Sequence, residues 1–300
     1  MSASPRISIL TPCRDGERYF RECLESIHGQ SYANFEHIVA DGGSRDGSTA
    51  LLADYPRARF FSASDAGIYD ALNKALPLVR GDIVGLLNCD DRYAPGTFDS
   101  VVDAFRDSQI SAVVGDAISF REVQSGIPVA DRCFSGAESD ALVMASLGSP
   151  IINAWFFRAS VFAKLGAFDT GLKFAGDREF LLRFALSRLP YRPLRRVVCC
   201  YRSHSQSMTF SGTDAIWRGV LNEHHRITAT YLRREELDSR ARTLLIRSRT
   251  RDALQGAVYS VQHGRLRECL SHAIAGTRYD IAWPARFALR AARVLSGSAT

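Results

Sequence analysis

Apolar and polar positions alternate between two rhythms along the first 115 residues. Arg6–Thr11 (RISILT) is a short, β-branched, apolar run that Pro12 closes, the pattern of a strand. Glu17–His28 places Phe20, Cys23, Leu24 and Ile27 on one stripe at helical spacing. Phe35–Ala40 predicts a second strand. The loop Asp41–Ser48 follows it and ends in residues suited to cap a helix from about Thr49 to Asp54. Ala58–Ser62 predicts a third strand, and Gly67–Arg80 a helix with Ile68, Leu72 and Leu76 spaced by four. Asp82–Leu87 (DIVGLL) is apolar after its first residue, as a strand buried on both faces should be, and Ser111–Gly115 is another such run.

Strands and helices in this alternation predict an α/β fold with a mostly parallel sheet covered by helices. Ligands of such sheets bind beyond the carboxyl ends of the strands. Thr11–Asp15, Asp41–Ser44, Ser64–Asp65 and Asn88–Asp91 each follow a predicted strand, so they are expected to line one crevice. Residues 116–213 are less regular, and from Asp214 onward the pattern turns helical and arginine-rich, which puts a soft boundary near 210.

Composition narrows the class. The chain has 300 residues, 46% hydrophobic and 23% charged, as ordinary globular proteins do. Seven scattered cysteines without a C-x-x-C pair suggest neither a zinc site nor a disulfide framework. The N-terminus lacks the apolar core of a secretory signal, and no apolar stretch is long enough to span a membrane, so a cytoplasmic location is expected. The net charge is +6, lysine occurs only at 74, 164 and 173, and arginines recur from Arg218 to Arg293. No nucleic-acid signature accompanies them, so nucleic acid is not expected as a partner.

Asn88-Cys89-Asp90-Asp91 follows a buried strand directly. Adjacent carboxylates there are costly unless solvated or bound to a cation, and hard oxygen ligands suit Mg2+ or Mn2+ beside phosphates. A solvated turn fits the same residues. The runs SILTPCRDG, FEHIVADGGSRDGST, SASDAGIYDALNKAL and GDIVGLLNCDD, in this order, resemble the family 2 glycosyltransferases over roughly residues 5 to 210.

That resemblance implies a GT-A, Rossmann-like fold and inverting sugar transfer from a nucleotide-sugar, with UDP as the default carrier. It implies a catalytic domain over 1–210, a nucleotide half to about 115 and an acceptor half over 116–210. A helical, Arg-rich region would occupy 211–300. Thr11 and Asp41 fall where the family receives base and ribose, Asp65 matches an acid lining the donor pocket, and Asp15, where relatives often carry Asn, belongs to the same nucleotide-sugar site. Asn73 and Lys74 fall near ribose or phosphate, and Asp90 and Asp91 match the metal-binding acidic motif. Asn88 stands where relatives often carry the first acid, and Cys13 where they often carry an aromatic. Asp177, opening a helix at Gly176-Asp177-Arg178-Glu179, matches the family's general base, with Glu179 as the alternate. The helix N-terminus is expected to keep Asp177 ionised. His204 and Ser207 match a stretch that folds back over the diphosphate, and His204 is a candidate metal or phosphate contact. Asn153 and the aromatic pair Trp155 and Phe156 fall on the acceptor side, where the pair suits a sugar-stacking platform and plain core packing equally.

The resemblance also implies a saccharide or lipid-linked saccharide acceptor from surface polysaccharide or glycolipid synthesis. The segment from Asp280 to Leu295 mixes Ile281, Trp283 and Phe287 with Arg286, Arg290 and Arg293. Such a helix either docks on the protein or lies at the inner membrane face. Two rival readings are a sugar nucleotidyltransferase and an inactive relative that serves as a scaffold. The first is disfavoured by the single glycine in TPCRDGER, the second by retention of Asp41, Asp90, Asp91 and Asp177.

Overall fold

The computed structural model describes residues 4–122, 128–136, 140–205, 207 and 213–279. The segment from Asp280 to Leu295 therefore lies outside the described residues. Strands are β1 (Ile7–Cys13), β2 (Phe35–Asp41), β3 (Ala58–Ser62), β4 (Ile83–Leu86), β5 (Arg92–Tyr93), β6 (Ala112–Glu122), β7 (Pro128–Phe134), β8 (Trp155–Arg158) and β9 (Tyr191–Arg202). Helices are α1 (Glu17–His28), α2 (Ile68–Ala75), α3 (Thr97–Ala104), α4 (Ala141–Leu147), α5 (Ala159–Leu165), α6 (Gly176–Leu186), α7 (Asp214–Leu232), α8 (Ser239–Gln262) and α9 (Leu266–Thr277).

The sheet runs in the order β3-β2-β1-β4-β8-β6-β9-β5, with β7 paired to β6. The first four strands are parallel. Beyond them β8 enters antiparallel between β4 and β6, and the sheet becomes mixed. Every residue of β1, β2 and β4 is buried, which explains why these strands read as apolar runs without alternation.

Several predicted elements change length, three of them for reasons or by amounts that matter here. β1 runs past Pro12 to Cys13. Leu10 accepts from the Leu87 amide, and β1 pairs with β4 only as far as Leu10. The position of the missing Pro12 N–H therefore faces the side where β4 has ended, and no ladder bond is lost. The predicted helix Gly67–Arg80 stops at Ala75 and tightens into a single turn, Leu76–Leu78. Pro77 can neither donate to the helix nor avoid the carbonyl four residues back. The predicted strand Ser111–Gly115 becomes the eleven-residue β6.

The core under α1 gathers Phe20, Leu24, Ile9, Val39, Phe98 and Phe156. Gly85 admits this packing: a Cβ there would stand 2.6 Å from the Phe156 ring and 2.9 Å from Ile9.

The chain divides into two compact units, Met1–Ala145 with Ser149–Ser211, and Ser146–Gly148 with Gly212–Thr300. In the second, Asp238 caps α8 by accepting from the Ala241 amide at 2.8 Å. Arg265 grips Asp214 with both terminal nitrogens at 2.6 and 2.9 Å, and Trp217 stacks on Tyr259. Among the described residues no helix is long and apolar enough to cross a membrane.

Candidate active site

The loops after β1, β2, β3 and β4 touch one another at the carboxyl ends of the parallel strands. Asp15 donates its amide to Ser44 Oγ at 2.9 Å and accepts from the Arg45 amide at 2.8 Å, joining the first two loops. Asp15 takes φ +50, which an Asp tolerates better than most side chains. Ser62 donates to Asp41 at 2.6 Å, and Gly42 leaves so little room that a Cβ would meet Asp65 Oδ2 at 2.4 Å. A Cβ at Gly16 would meet Cys89 Sγ at 2.8 Å and Cys13 Sγ at 3.1 Å, so the first loop also rests on the fourth.

Several expected nucleotide contacts are engaged within the protein. Thr11 is fully buried inside β1, its hydroxyl 2.9 Å from His37 Nε2. Cys13 is buried as well. Asp41 accepts from the Gly43 and Ser44 amides and from the Ser44 and Ser62 hydroxyls. Burial pushes its pKa up, but those donors outweigh it and hold the carboxyl below its ordinary range. Asp65 accepts from the Gly67 amide at 3.0 Å. Asn73 uses both ends of its amide on the backbone of Phe168, at 2.8 and 2.9 Å. Lys74 reaches Ser64 O at 2.8 Å and Asp70 at 2.9 Å.

The acidic loop separates its two carboxylates by environment. Asp91 is 1% exposed; its Oδ1 accepts from the Arg202 amide at 2.7 Å and its Oδ2 from Asn153 at 2.6 Å. Burial, and then the neighbouring Asp90 charge, push its pKa well up against those two donors. Asp90 has a side chain 29% exposed, with Oδ2 3.0 Å from His204 Nε2. Beneath them Arg202 is 1% exposed and spans the loop: Nε donates to Asp90 O at 3.0 Å and Nη2 to Glu22 at 2.8 Å. Its guanidinium lies over Tyr19 and Phe120, and Tyr19 also flanks His204. Ser207 closes the turn, accepting from the His204 amide and donating to Arg202 O.

Asp177 sits in the first turn of α6. Its Oδ1 accepts from the Arg178 amide at 2.7 Å and from the Tyr69 hydroxyl at 3.2 Å. Burial raises its pKa above the ordinary carboxylate value, although both donors and the Arg178 charge pull it down. The expected effect of the helix N-terminus is thus outweighed by desolvation. Glu179 faces away, paired with Arg183 at 2.8 Å. Trp155 and Phe156 are buried in the core, Trp155 stacked on Phe157, so neither offers a face to a sugar.

The family model for glycosyl transferase family 2 matches residues 8–175. The chain belongs to glycosyltransferase family 2. An uncharacterized glycosyltransferase of Mycobacterium tuberculosis is 29% identical over 255 residues, 79% of this chain and 93% of that protein. Chondroitin synthase of Escherichia coli is 35% identical over 106 residues, 34% of this chain and 16% of that protein. Two solved structures share the fold. S. aureus TarS 1-349 in complex with UDP-GlcNAc superposes with a TM-score of 0.63 at 13% identity, covering 91% of each chain. Mannosyltransferase PcManGT from Pyrobaculum calidifontis, in complex with GDP-Man and Mn2+, gives 0.65 at 18% identity, covering 98% of this chain and 81% of that one. The fold is therefore that of the GT-A glycosyltransferases, and the enzyme class is glycosyltransferase.

Whether a divalent cation fits can be judged from the donor set. Asp90 offers a carboxylate oxygen and His204 an imidazole nitrogen, 3.0 Å apart and both partly open. Two ligands at right angles on a cation of this size stand about 3 Å apart. Among the described residues no group of three or more His, Cys, Asp or Glu could hold a metal. Waters and phosphate oxygens would complete the coordination, the usual arrangement for Mg2+ at phosphates. The residues fit the group on those terms.

Sequence reading passed over Arg202, Asn153 as a partner of Asp91, and Tyr69. Arg202 had one signal, a cation embedded in an apolar strand, VVCCYR, and such a charge demands partners.

Proposed function

We propose that this glycosyltransferase moves a sugar from a UDP-sugar to an acceptor hydroxyl with inversion, aided by Mn2+ or Mg2+. The acceptor would be a saccharide or lipid-linked saccharide in cell-surface polysaccharide or glycolipid synthesis. The observation that carries this reading is the pairing of Asp90 with His204 above the buried Asp91–Arg202 support. Asp90 and His204 are the proposed metal ligands, and Asp91 is assigned to positioning because both its oxygens already accept hydrogen bonds. When bound, the cation offsets charge on the departing diphosphate.

Asp177 is the proposed general base. Its Oδ1 accepts from two donors, so Oδ2 is the oxygen assigned to take the proton. A raised pKa strengthens the carboxylate as a base near neutral pH. In the proposed step the acceptor oxygen bonds to the anomeric carbon as the bond from that carbon to the diphosphate oxygen breaks. The acceptor proton passes to Asp177 Oδ2. The loops carrying Asp15, Asp41 and Asp65 surround the proposed base and ribose pocket. With Asp41 saturated by its own loop and by Ser62 of β3, backbone groups and Asp65 are the better candidates to face the nucleotide.

Calorimetric titration with UDP and with GDP, each with and without Mn2+, tests the donor reading. Mn2+-dependent UDP binding that is lost in Asp90→Asn is expected. Absence of nucleotide binding under every metal condition overturns the reading and favours the scaffold alternative.

A further inference from the structure

The segment Gly67–Lys74 resembles a family motif, and its polar side chains reach toward the chain around Asp177 or brace α2 itself. Asp70 accepts from the Ala66 amide at 3.0 Å and pairs with Lys74, which also reaches Ser64 O. These contacts fix the start of α2, where Gly67 takes φ +129. Asn73 clamps the Phe168 backbone with donor and acceptor together. The ring of Tyr69 stacks on Phe168 with centroids 5.7 Å apart. Its hydroxyl lies 3.3 Å from Phe174 O and 3.2 Å from Asp177 Oδ1. The Tyr69 ring also covers Gly176, where a Cβ would stand 2.8 Å from two of its atoms and 2.9 Å from a third. The Asn73 clamp and the Tyr69 contacts reach the segment 168–177 from one helix face, since 69 and 73 are four apart.

We propose that Tyr69 is a positioning residue for Asp177, donating to Oδ1 so that Oδ2 is the oxygen presented to the acceptor, with Asn73 fixing the segment that carries them. This rests on the reading of Asp177 as the base for its catalytic meaning, but the hydrogen bond itself does not. A tyrosine suits the task because burial, and then the Asp177 charge, push its own pKa well up, so it remains a donor at every physiological pH. Among the described residues, the titratable and charged groups with the largest effect on Asp177 are Tyr69 from α2 and, on its own helix, Arg178, whose amide holds Oδ1 and whose guanidinium donates to Ala145 O. Loss of the phenol proton removes a donor that favours the ionised carboxylate, so the carboxyl of Tyr69→Phe must titrate at higher pH than that of the wild type.

Carboxyl 13C NMR of the full chain, labelled at aspartate Cγ, reads this without any substrate. Asp177 is assigned by the signal lost in Asp177→Asn. An upward move of its midpoint in Tyr69→Phe, at unchanged circular dichroism, is the expected result; an unmoved midpoint overturns the proposal. Should Tyr69→Phe fold poorly, tyrosine Cζ labelling of the wild type gives the second measurement. The Tyr69 signal must follow the Asp177 midpoint and lose that step in Asp177→Asn, and a Tyr69 signal indifferent to Asp177 refutes the contact. The acid limb of UDP-GlcNAc hydrolysis in Mn2+ then separates the two readings. A limb moving with the carboxyl supports Tyr69 acting through the base. A moved carboxyl beside an unmoved limb keeps the hydrogen bond but removes both Asp177 as base and Tyr69 as its positioning residue.

Discussion

Asp90 and Asp91 are chain neighbours with opposite surroundings, and the contrast makes different demands on each. Asp90 is partly open and faces an imidazole, whereas Asp91 is sealed and holds the Arg202 amide and the Asn153 side chain. His204→Ala should weaken Mn2+-dependent UDP binding by at least about tenfold, the scale of losing a well-held group at a metal site, with little change in melting temperature. Asp91→Ala should instead unfold the protein more easily. Two buried donors lose their acceptor, each at a cost of about 1–3 kcal/mol, which thermal melting will register. Equal melting temperatures for the two variants would contradict this division of labour.

At the level of elements, the parallel strands are close-packed against α1 and β8, and a single methyl group decides whether they fit. Gly85→Ala pushes a Cβ against Phe156 and Ile9, and overpacking of this kind costs about 1–3 kcal/mol, so a lower melting temperature is expected. The same layer contains a pH-sensitive group. His37 is fully buried between His28 and Thr11, and burial, followed by the nearby His28, lowers its pKa from 6.5 to about 3. The unfolded chain takes up a proton below about pH 6.5 while the folded one resists until about pH 3. Stability is therefore complete above pH 6.5 and lost as the pH falls, at up to about 1.4 kcal/mol per pH unit. Denaturant midpoints at pH 7 and pH 4.5 should differ clearly in the wild type and less in His37→Gln. A pH profile unchanged by the substitution would falsify the assignment.

Over the whole molecule, charge divides with the units. Residues 212–300 hold fifteen arginines and no lysine against eight acidic residues, a net +7, whereas the whole chain carries +6. Charge of this sign and density attracts anionic surfaces, and α9 adds exposed Leu266, Leu270 and Ile274. Contact with an anionic membrane is a proposal that follows from both. Co-sedimentation with vesicles containing phosphatidylglycerol should exceed that with phosphatidylcholine alone and fall as salt rises from 0.05 to about 0.5 M, because screening shortens the reach of the charges. Binding indifferent to lipid charge would remove the proposal.

The periodicity of residues 5–115 was enough to determine the α/β class, the first four strands and the loops expected to meet beyond them. Patterning in β1, β2 and β4 is set by burial on both faces, a property of each strand that its own residues record. The family, too, was legible in the four ordered runs that resemble it. The direction of β8 and the mixing of the second half of the sheet were not legible, because strand pairing is a choice among partners distant in the chain. Neither was the division of roles within the site. Thr11, Asn73 and Lys74 were placed near base, ribose or phosphate by their position in the motifs, and in the structure each hydrogen-bonds to a group of the protein itself. Which oxygen of a carboxylate stays open depends on donors such as the Arg202 amide, 111 residues from Asp91, and the Tyr69 hydroxyl, 108 residues from Asp177. Such donors reach the carboxylates only once the chain has folded, so tertiary structure alone decided them.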